Sequence, residues 1–391
     1  MPASMAHRVA GLGTTIFSEI NDLAAQHQAV NLGQGRPDFD GPRIIIDAAA
    51  ASMQDGRANQ YPPGLGIAPL RQGIAVHVHD FYGIEVNSES GVVVTSGAAE
   101  GMYAAIMALV NPGDEVILIE PFFDTYLPAI QWAGGVPVYV PLRPPAWTFD
   151  PAELRAAFTE KTRVIVINTP HNPTGRVLTR DELELIAALC REHDVMVIAD
   201  EVYEHLTFDL AKHIPIATLP DMFERTLTVS SAAKTFSLTG WKVGWVYGPD
   251  ALVTGVWRVH QNVTYALNHP GQYGVVAALN LDADYYIELQ SMYTHKRNLL
   301  LDGLRAAGLT AEMPQGSFFV MADFSRVFEG DDIDFTRFLI REIGVACIPP
   351  SSFFSEAHKD ITRSYVRFAF CKEDAVLEQA VEKLAKLKLR V

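Results

Sequence analysis

Cysteine is scarce in this chain: three in 391 residues, Cys190, Cys347 and Cys371, far apart and without a CxxC pair. Each lies in or beside an apolar run, as in VACIPP and FAFCK, so the reading is buried free thiols in a reducing compartment rather than a disulfide framework. Positive charge is also short, with 31 Lys and Arg against 46 Asp and Glu, a formal net charge of −15 and the signs interspersed. Such a surface repels phosphate backbones and anionic lipid, and neither nucleic acid nor a membrane is an expected partner. No stretch reaches membrane-spanning length, and the first residues, MPASMAHRVAGLGTTIF, have one Arg and a broken apolar pattern instead of a signal peptide's continuous apolar run. The expectation is a soluble cytoplasmic protein without internal repeats, low-complexity segments or a metal.

About half of the residues are hydrophobic, and a chain of this length with that content is expected to form one large domain and a smaller one. From about residue 90 to 250, short apolar runs alternate with helical stretches: GVVVT, EVILIE, VPVYVPL, RVIVIN, VMVIAD, RTLTVSS and KVGWVYG. Runs apolar at consecutive positions indicate strands covered on both faces, hence an α/β fold with a mainly parallel seven-stranded sheet wrapped by helices. Gly97 to Val110 has helical spacing and is stopped by Asn111-Pro112-Gly113, so a helix begins where GVVVT ends. After Asp282 the pattern changes to a charged amphipathic helix from Tyr285 to Leu304, the runs SFFVMADF and YVRFAF, a helical stretch near Phe335 to Ile343, and a Lys/Glu-rich C-terminal helix. These predict a small α+β domain of residues 1–39 plus 283–391 beside a large domain of residues 40–282. The segment ending in NLGQGRPDF reads as a loop crossing a cleft.

Four points of the alternating region fall at strand ends, where open α/β sheets place their ligands. Gly97-Ala98-Ala99 opens a helix and can offer free N–H groups and a helix dipole to a phosphate, although small residues there also serve close packing. Asp200, at the end of VMVIAD, places a carboxylate at the mouth of an apolar sheet and reads either as a charge needing a cationic partner or as a helix N-cap. NTPHNPTG is a rigid turn able to aim Asn172 inward, or a plain turn. The fourth decides between them: in TLTVSSAAKTFSLTGWKVGW, Lys234 occupies a loop of small residues between two apolar strands, where a lysine has little reason to be for solubility. Ser231 and Lys242 can donate to a phosphate, and a nearby cation would lower the amine pKa of Lys234 and free it to form a Schiff base.

Through NLGQGRPDF, NQYPPG, EPFFDTY, NTPHNPTG, DEVYEH, SSAAKTFSLTGWKVGW, VHQN and YVRFAFCK, in that order, the chain resembles the class I aminotransferases of the pyridoxal-phosphate fold type I, within them the kynurenine, glutamine and methionine branch. The resemblance covers nearly the whole chain. It implies pyridoxal 5′-phosphate bound as a Schiff base to Lys234, which then moves the substrate's α-proton. It implies Asp200 on the pyridinium nitrogen, Tyr203 and Asn172 on the ring hydroxyl, and Phe123 stacked on the ring. The phosphate is expected on Gly97, Ala98 and Ala99 with Ser231 and Lys242, joined by Tyr61 from the second subunit of a homodimer. Arg367 of YVRFAF is implied to grip the substrate carboxylate in a bidentate fork completed by Gly35 and Asn172, a geometry lysine cannot supply. Phe17, Arg36 and Tyr265 are the remaining candidates for substrate contact.

Two departures from the branch pattern fall where side-chain specificity is expected. Arg36 follows GQG where the relatives have an aromatic residue, and Tyr265-Ala266-Leu267-Asn268 replaces the aromatic and His that follow VHQN in the animal enzymes. The activity implied is transfer of an α-amino group from an aromatic, glutamine, methionine or glutamate-class donor to a 2-oxo acid. The same residues would serve an N-succinyldiaminopimelate aminotransferase of lysine biosynthesis or a cysteine-conjugate C–S β-lyase. A regulator that keeps such a domain as a sensor is not expected, because no basic cluster of a DNA-binding domain precedes NLGQGRPDF.

Overall fold

The computed structural model describes residues 5–10 and 13–389. After a two-residue strand β1 (Val30–Asn31), seven strands form the main sheet: β2 (Val92–Thr95), β3 (Glu115–Glu120), β4 (Val136–Pro141), β5 (Thr162–Asn168), β6 (Met196–Asp200), β7 (Thr226–Ser231) and β8 (Gly244–Tyr247). They coincide with the seven apolar runs and lie in the order β2-β8-β7-β6-β5-β3-β4. All run parallel except β8, which is antiparallel to both β2 and β7.

Burial explains why these strands lack alternation. Val164 and Val166 of β5 pack on one face with Met102 and Ile106 of the helix Gly97–Leu109, while Ile165 and Ile167 pack on the other with Leu183 and Ile186 of the helix Arg180–Glu192. Successive residues of a strand point to opposite faces, so a sheet covered on both sides needs apolar residues at every position. The second of these helices is started by a reciprocal cap, Thr179 accepting from the Glu182 backbone and the Glu182 carboxylate accepting from Thr179.

The remaining strands are β9 (Thr310–Ala311), β10 (Phe319–Asp323), β11 (Val345–Ala346) and β12 (Tyr365–Ala369). β12, β10 and β9 make a small antiparallel sheet packed with the long helix Ala283–Ala306 and the C-terminal helix Asp374–Leu384, and β1 pairs parallel with β11. The helical stretch near Phe335 is α-helical over Asp332–Phe338 and widens into one π-helical turn over Leu339–Ile343.

The N-terminal segment is not a loop throughout, as its glycines and proline suggested. Ile16–Gln26 is a helix, with the Thr15 side chain accepting from Ser18 N and with Ile20 and Ala24 buried against Ile340, Ala346 and Phe353. Thr15 and the apolar residues at four-residue spacing specify this helix; only the following Leu32–Asp38 stretch is the crossing loop.

Candidate active site

The parallel strands β5, β6 and β7 end side by side, with Asn168 opposite Asp200 and Asp200 opposite Val229. Beyond these ends opens a cavity of about 430 Å³. Of the residues read from the sequence, Phe17, Gly35, Arg36, Arg367, Phe123 and Asn172 line it, together with Asp200, Tyr203, Lys234 and the Gly97, Ala98, Ala99, Ser231 and Lys242 group. Tyr61 and Tyr265 do not: they stand edge to face at 5.8 Å on the surface, 82% and 57% exposed.

Asp200 is buried, with Val202 N donating to its Oδ1 at 3.3 Å and the Tyr126 hydroxyl donating to its Oδ2. Burial pushes its carboxyl up to about 6, against the pull of those two hydrogen bonds and of Lys234. The residues directly after β6 form turns over 202–205 and no helix, so Asp200 is not a helix N-cap. Lys234, half-buried in the short helix Ala232–Thr235, donates to the Gly35 carbonyl at 3.2 Å and stands 5.2 Å from the Phe318 ring and 5.6 Å from the Tyr203 ring. Its amine is pushed down to about 8, and here the sequence reading needs correction: desolvation is the main cause, and the cation of Lys242 is a lesser one. The enclosed amine is therefore partly neutral near pH 8 and able to act as a nucleophile.

The start of the helix Gly97–Leu109 faces the same space. No side chain caps it, since Ser96 offers no cap bond and its own N–H donates to Glu100 at 2.8 Å. Gly97 has φ +74°, and a Cβ there would lie 3.1 Å from the Lys242 Nζ. A Cβ on Gly244 of β8 would come within 2.6 Å of the Gly97 carbonyl carbon, so two glycines let the helix start rest on the strand with the lysine beside it. Free N–H groups, the positive end of the helix dipole and an ammonium make a cradle for a phosphate.

Across the cavity, Arg367 on β12 is 1% exposed. It donates to Asn172 Oδ1 at 2.8 Å and to the carbonyl of Gly33 at 2.7 Å, while its buried Nε has no partner. Gly33 supplies the carbonyl that the guanidinium meets, while Gly35 lines the cavity and accepts from Lys234. The ring of Phe319 lies 4.1 Å from the guanidinium carbon, with Phe353 at 5.2 Å and Phe17 at 5.3 Å. Burial brings its pKa down to about 10, which leaves it charged at neutral pH. Asn172 N donates to Asn168 Oδ1 at 2.9 Å, and Asn168 Nδ2 donates to the Asp200 carbonyl at 2.8 Å. One hydrogen-bonded chain therefore joins the guanidinium to the strand end that carries the acid. Tyr126, Asn168, Gly33, Phe319 and Phe353 escaped the sequence reading, although all but Phe353 lie inside or beside motifs that it used.

The three polar stations of the cavity differ in chemistry: an amine with a lowered pKa, a buried acid, and an anion cradle. Pyridoxal 5′-phosphate has a carbonyl for the first, a ring nitrogen for the second and a phosphate for the third, and with the sheet order this defines the class as the fold type I pyridoxal-phosphate enzymes. Residues 27–384 match the family model described as "Aminotransferase class I and II", and the chain belongs to that family. It is similar to the kynurenine–oxoglutarate transaminase of Dictyostelium discoideum, 40% identical over 97% of this chain and 96% of that one. The probable N-succinyldiaminopimelate aminotransferase of Mycobacterium tuberculosis is 42% identical, with 98% of each chain covered. A solved N-succinyldiaminopimelate aminotransferase from Mycobacterium tuberculosis superimposes with TM-score 0.95 at 43% identity, covering 98% of this chain and 100% of that one. A solved methionine aminotransferase from Escherichia coli does so with TM-score 0.94 at 38% identity and the same coverage. The protein is a pyridoxal-phosphate-dependent aminotransferase.

A second polar group lies away from this cavity: His77, Glu204 and His205 are buried with ligand atoms within 4.8 Å of one another. Its partners are internal. Tyr82 and Ser230 donate to Glu204 at 2.8 and 2.6 Å, and the two imidazoles meet through their Nε2 atoms at 2.9 Å.

Proposed function

We propose that Lys234 is the residue that holds the cofactor and that the substrate is an α-amino acid gripped by Arg367. The single observation that carries this reading is the position of Lys234 and Arg367 on the same cavity, the amine pushed down to about 8 and the guanidinium caged by aromatic rings with one donor unpartnered. When bound, the cofactor supplies an electron sink conjugated to the substrate's α-carbon. The Asp200 carboxylate would accept from the protonated ring nitrogen, Tyr203 and Asn172 would serve the ring hydroxyl, and Phe123 would cover the ring. Gly97, Ala98, Ala99, Ser231 and Lys242 hold the phosphate. Arg367 presents two parallel donors to the α-carboxylate, which fixes the α-carbon and orients its C–H bond. The Lys234 Nζ, set free when the substrate's amine takes its place, would accept the proton from the α-carbon and deliver it to the carbon that had been the cofactor's carbonyl. Water would then release the substrate as its 2-oxo acid while the amino group stays with the cofactor, and a second 2-oxo acid would take that nitrogen by the reverse path, giving the water back.

Under this reading residues 40–282 hold the cofactor and residues 1–39 with 283–391 supply the carboxylate clamp. The protein acts as a homodimer in the cytoplasm, Tyr61 and Tyr265 of one subunit completing the other's site. The exposure of these two aromatic rings outside their own chain's cavity supports this, and no helix among the described residues is long and apolar enough to cross a membrane.

The rings of Phe17, Phe123 and Phe319 suit an apolar or aromatic side chain, as the kynurenine and methionine relatives suggest. Arg36 favours a second, acidic class, glutamate or N-succinyldiaminopimelate: it lines the cavity, is exposed, and makes no ion pair among the described residues. Its carbonyl is held by Lys372 Nζ at 2.7 Å, which fixes the backbone at the rim. A charge-assisted hydrogen bond from Arg36 to a distal carboxylate contributes roughly ten- to a hundred-fold in specificity. The test is a screen of amino acids against 2-oxo acids, with kcat/KM for glutamate and for methionine compared in wild type and Arg36→Phe. A selective loss with glutamate is expected; equal changes would remove Arg36 from the specificity site, and no transamination with any pair would overturn the function.

A further inference from the structure

The Asp200 carboxylate has two hydrogen-bond donors within the protein, and one of them, Tyr126, closes the EPFFDTY motif in which only Phe123 has a cofactor role. Tyr126 opens the helix Tyr126–Trp132, is 2% exposed, and directs its hydroxyl to Asp200 Oδ2. Its ring is held edge to face by Phe123 at 5.9 Å, so the residue that covers the cofactor ring in the proposed site also packs the residue that reaches the acid. We propose that Tyr126 is a positioning residue: its hydroxyl fixes the Asp200 carboxylate and keeps it ionised against its burial, and so sets how firmly the pyridinium nitrogen is held.

The direction of the hydrogen bond follows from its surroundings. Burial and the neighbouring Asp200 push the Tyr126 hydroxyl well above the usual tyrosine range, so its proton stays put and the hydroxyl donates. Asp200 accepts on Oδ2 from Tyr126 and on Oδ1 from Val202 N, which holds the plane of the carboxylate. The groups that bear on Asp200 are Tyr126, Tyr203, Lys234 and Glu201. Lys234 favours the charged form and Glu201 disfavours it. Once the amine of Lys234 is engaged with a cofactor it no longer stands there as a free ammonium, and Tyr126 is left as the side-chain donor that keeps Asp200 charged. Because a buried carboxylate that loses a donor takes up a proton more readily, removing the hydroxyl weakens the pairing most at the acid end of the pH range.

This inference rests on the cofactor assignment above, and the experiment separates the two. Holoenzyme of wild type, Tyr126→Phe, Asp200→Asn and the double variant is dialysed to equilibrium at several pH values, and cofactor dissociation constants are read from absorbance, with thermal unfolding confirming that each variant is folded. Tyr126→Phe is expected to weaken retention by roughly ten-fold or more in the wild-type background, to move the acid limb of the retention profile to higher pH, and to change retention little once Asp200 is Asn. An equal loss in both backgrounds would make Tyr126 a packing residue and overturn the proposal, as would unchanged retention and pH profile in Tyr126→Phe. Failure of the wild type itself to retain pyridoxal phosphate would instead overturn the cofactor assignment at this site.

Discussion

Asp200 is buried at the end of β6 and its carboxyl is pushed up to about 6 by that burial, so ionising it at neutral pH costs the cofactor-free protein on the order of 3 kcal/mol. A carboxyl whose pKa is raised in the fold binds its proton more tightly folded than unfolded. Its favourable contribution is therefore complete below about pH 4 and is lost as pH rises through about 6. Asp200→Asn, which never ionises, is expected to stabilise the cofactor-free protein by about 2–3 kcal/mol at pH 8 and by almost nothing at pH 4; urea unfolding at the two pH values checks this, and a less stable variant at pH 8 would contradict it. Single residues were legible where their type was improbable in context. Lys234 stood out because small residues and apolar strands surround it, whereas Tyr126 and Phe353 are aromatic residues in apolar surroundings, like most of the core. Their partners, Asp200 at 74 positions and Arg367 at 14 positions along the chain, are found only by folding.

At the scale of elements, the main sheet was readable because burial on both faces imprints consecutive apolar residues, and every residue of β2, β7 and β8 is buried. The antiparallel course of β8 was not readable, since its run GWVY has the same composition as a parallel strand. The helix Ile16–Gln26 was obscured by the glycines that flank it, and its docking surface, Ile340, Ala346 and Phe353, lies more than 300 residues away. The helix start at Gly97 illustrates how an element's end makes a site. Gly97→Ala must hold an L side chain at φ +74° and place its Cβ 3.1 Å from the Lys242 Nζ. The strain lowers stability by about 1 kcal/mol, and displacement of the lysine weakens the hold on a phosphate. Roughly a five-fold weaker hold on the cofactor is expected, with a comparable loss for inorganic phosphate as a competitor, both measured by absorbance titration. Affinities equal to wild type would mean that this helix start does not carry the phosphate.

For the whole molecule, the proposed site is shared: Lys234 lies in one subunit's cavity while Tyr61, 82% exposed in its own chain, serves the other. Mixing inactive Tyr61→Phe and Lys234→Ala chains under random exchange then restores up to about one quarter of native sites, because half of the dimers are mixed and each holds one intact site. No recovery from two separately inactive variants, or an active monomer by sedimentation, would contradict the shared site. The proposed function depends on the assignment of Lys234 as the residue that holds the cofactor. Borohydride reduction of the holoenzyme followed by peptide mapping tests it most directly: the account predicts the pyridoxyl group on Lys234 alone, and a label on Lys242, or none on either lysine, would contradict it.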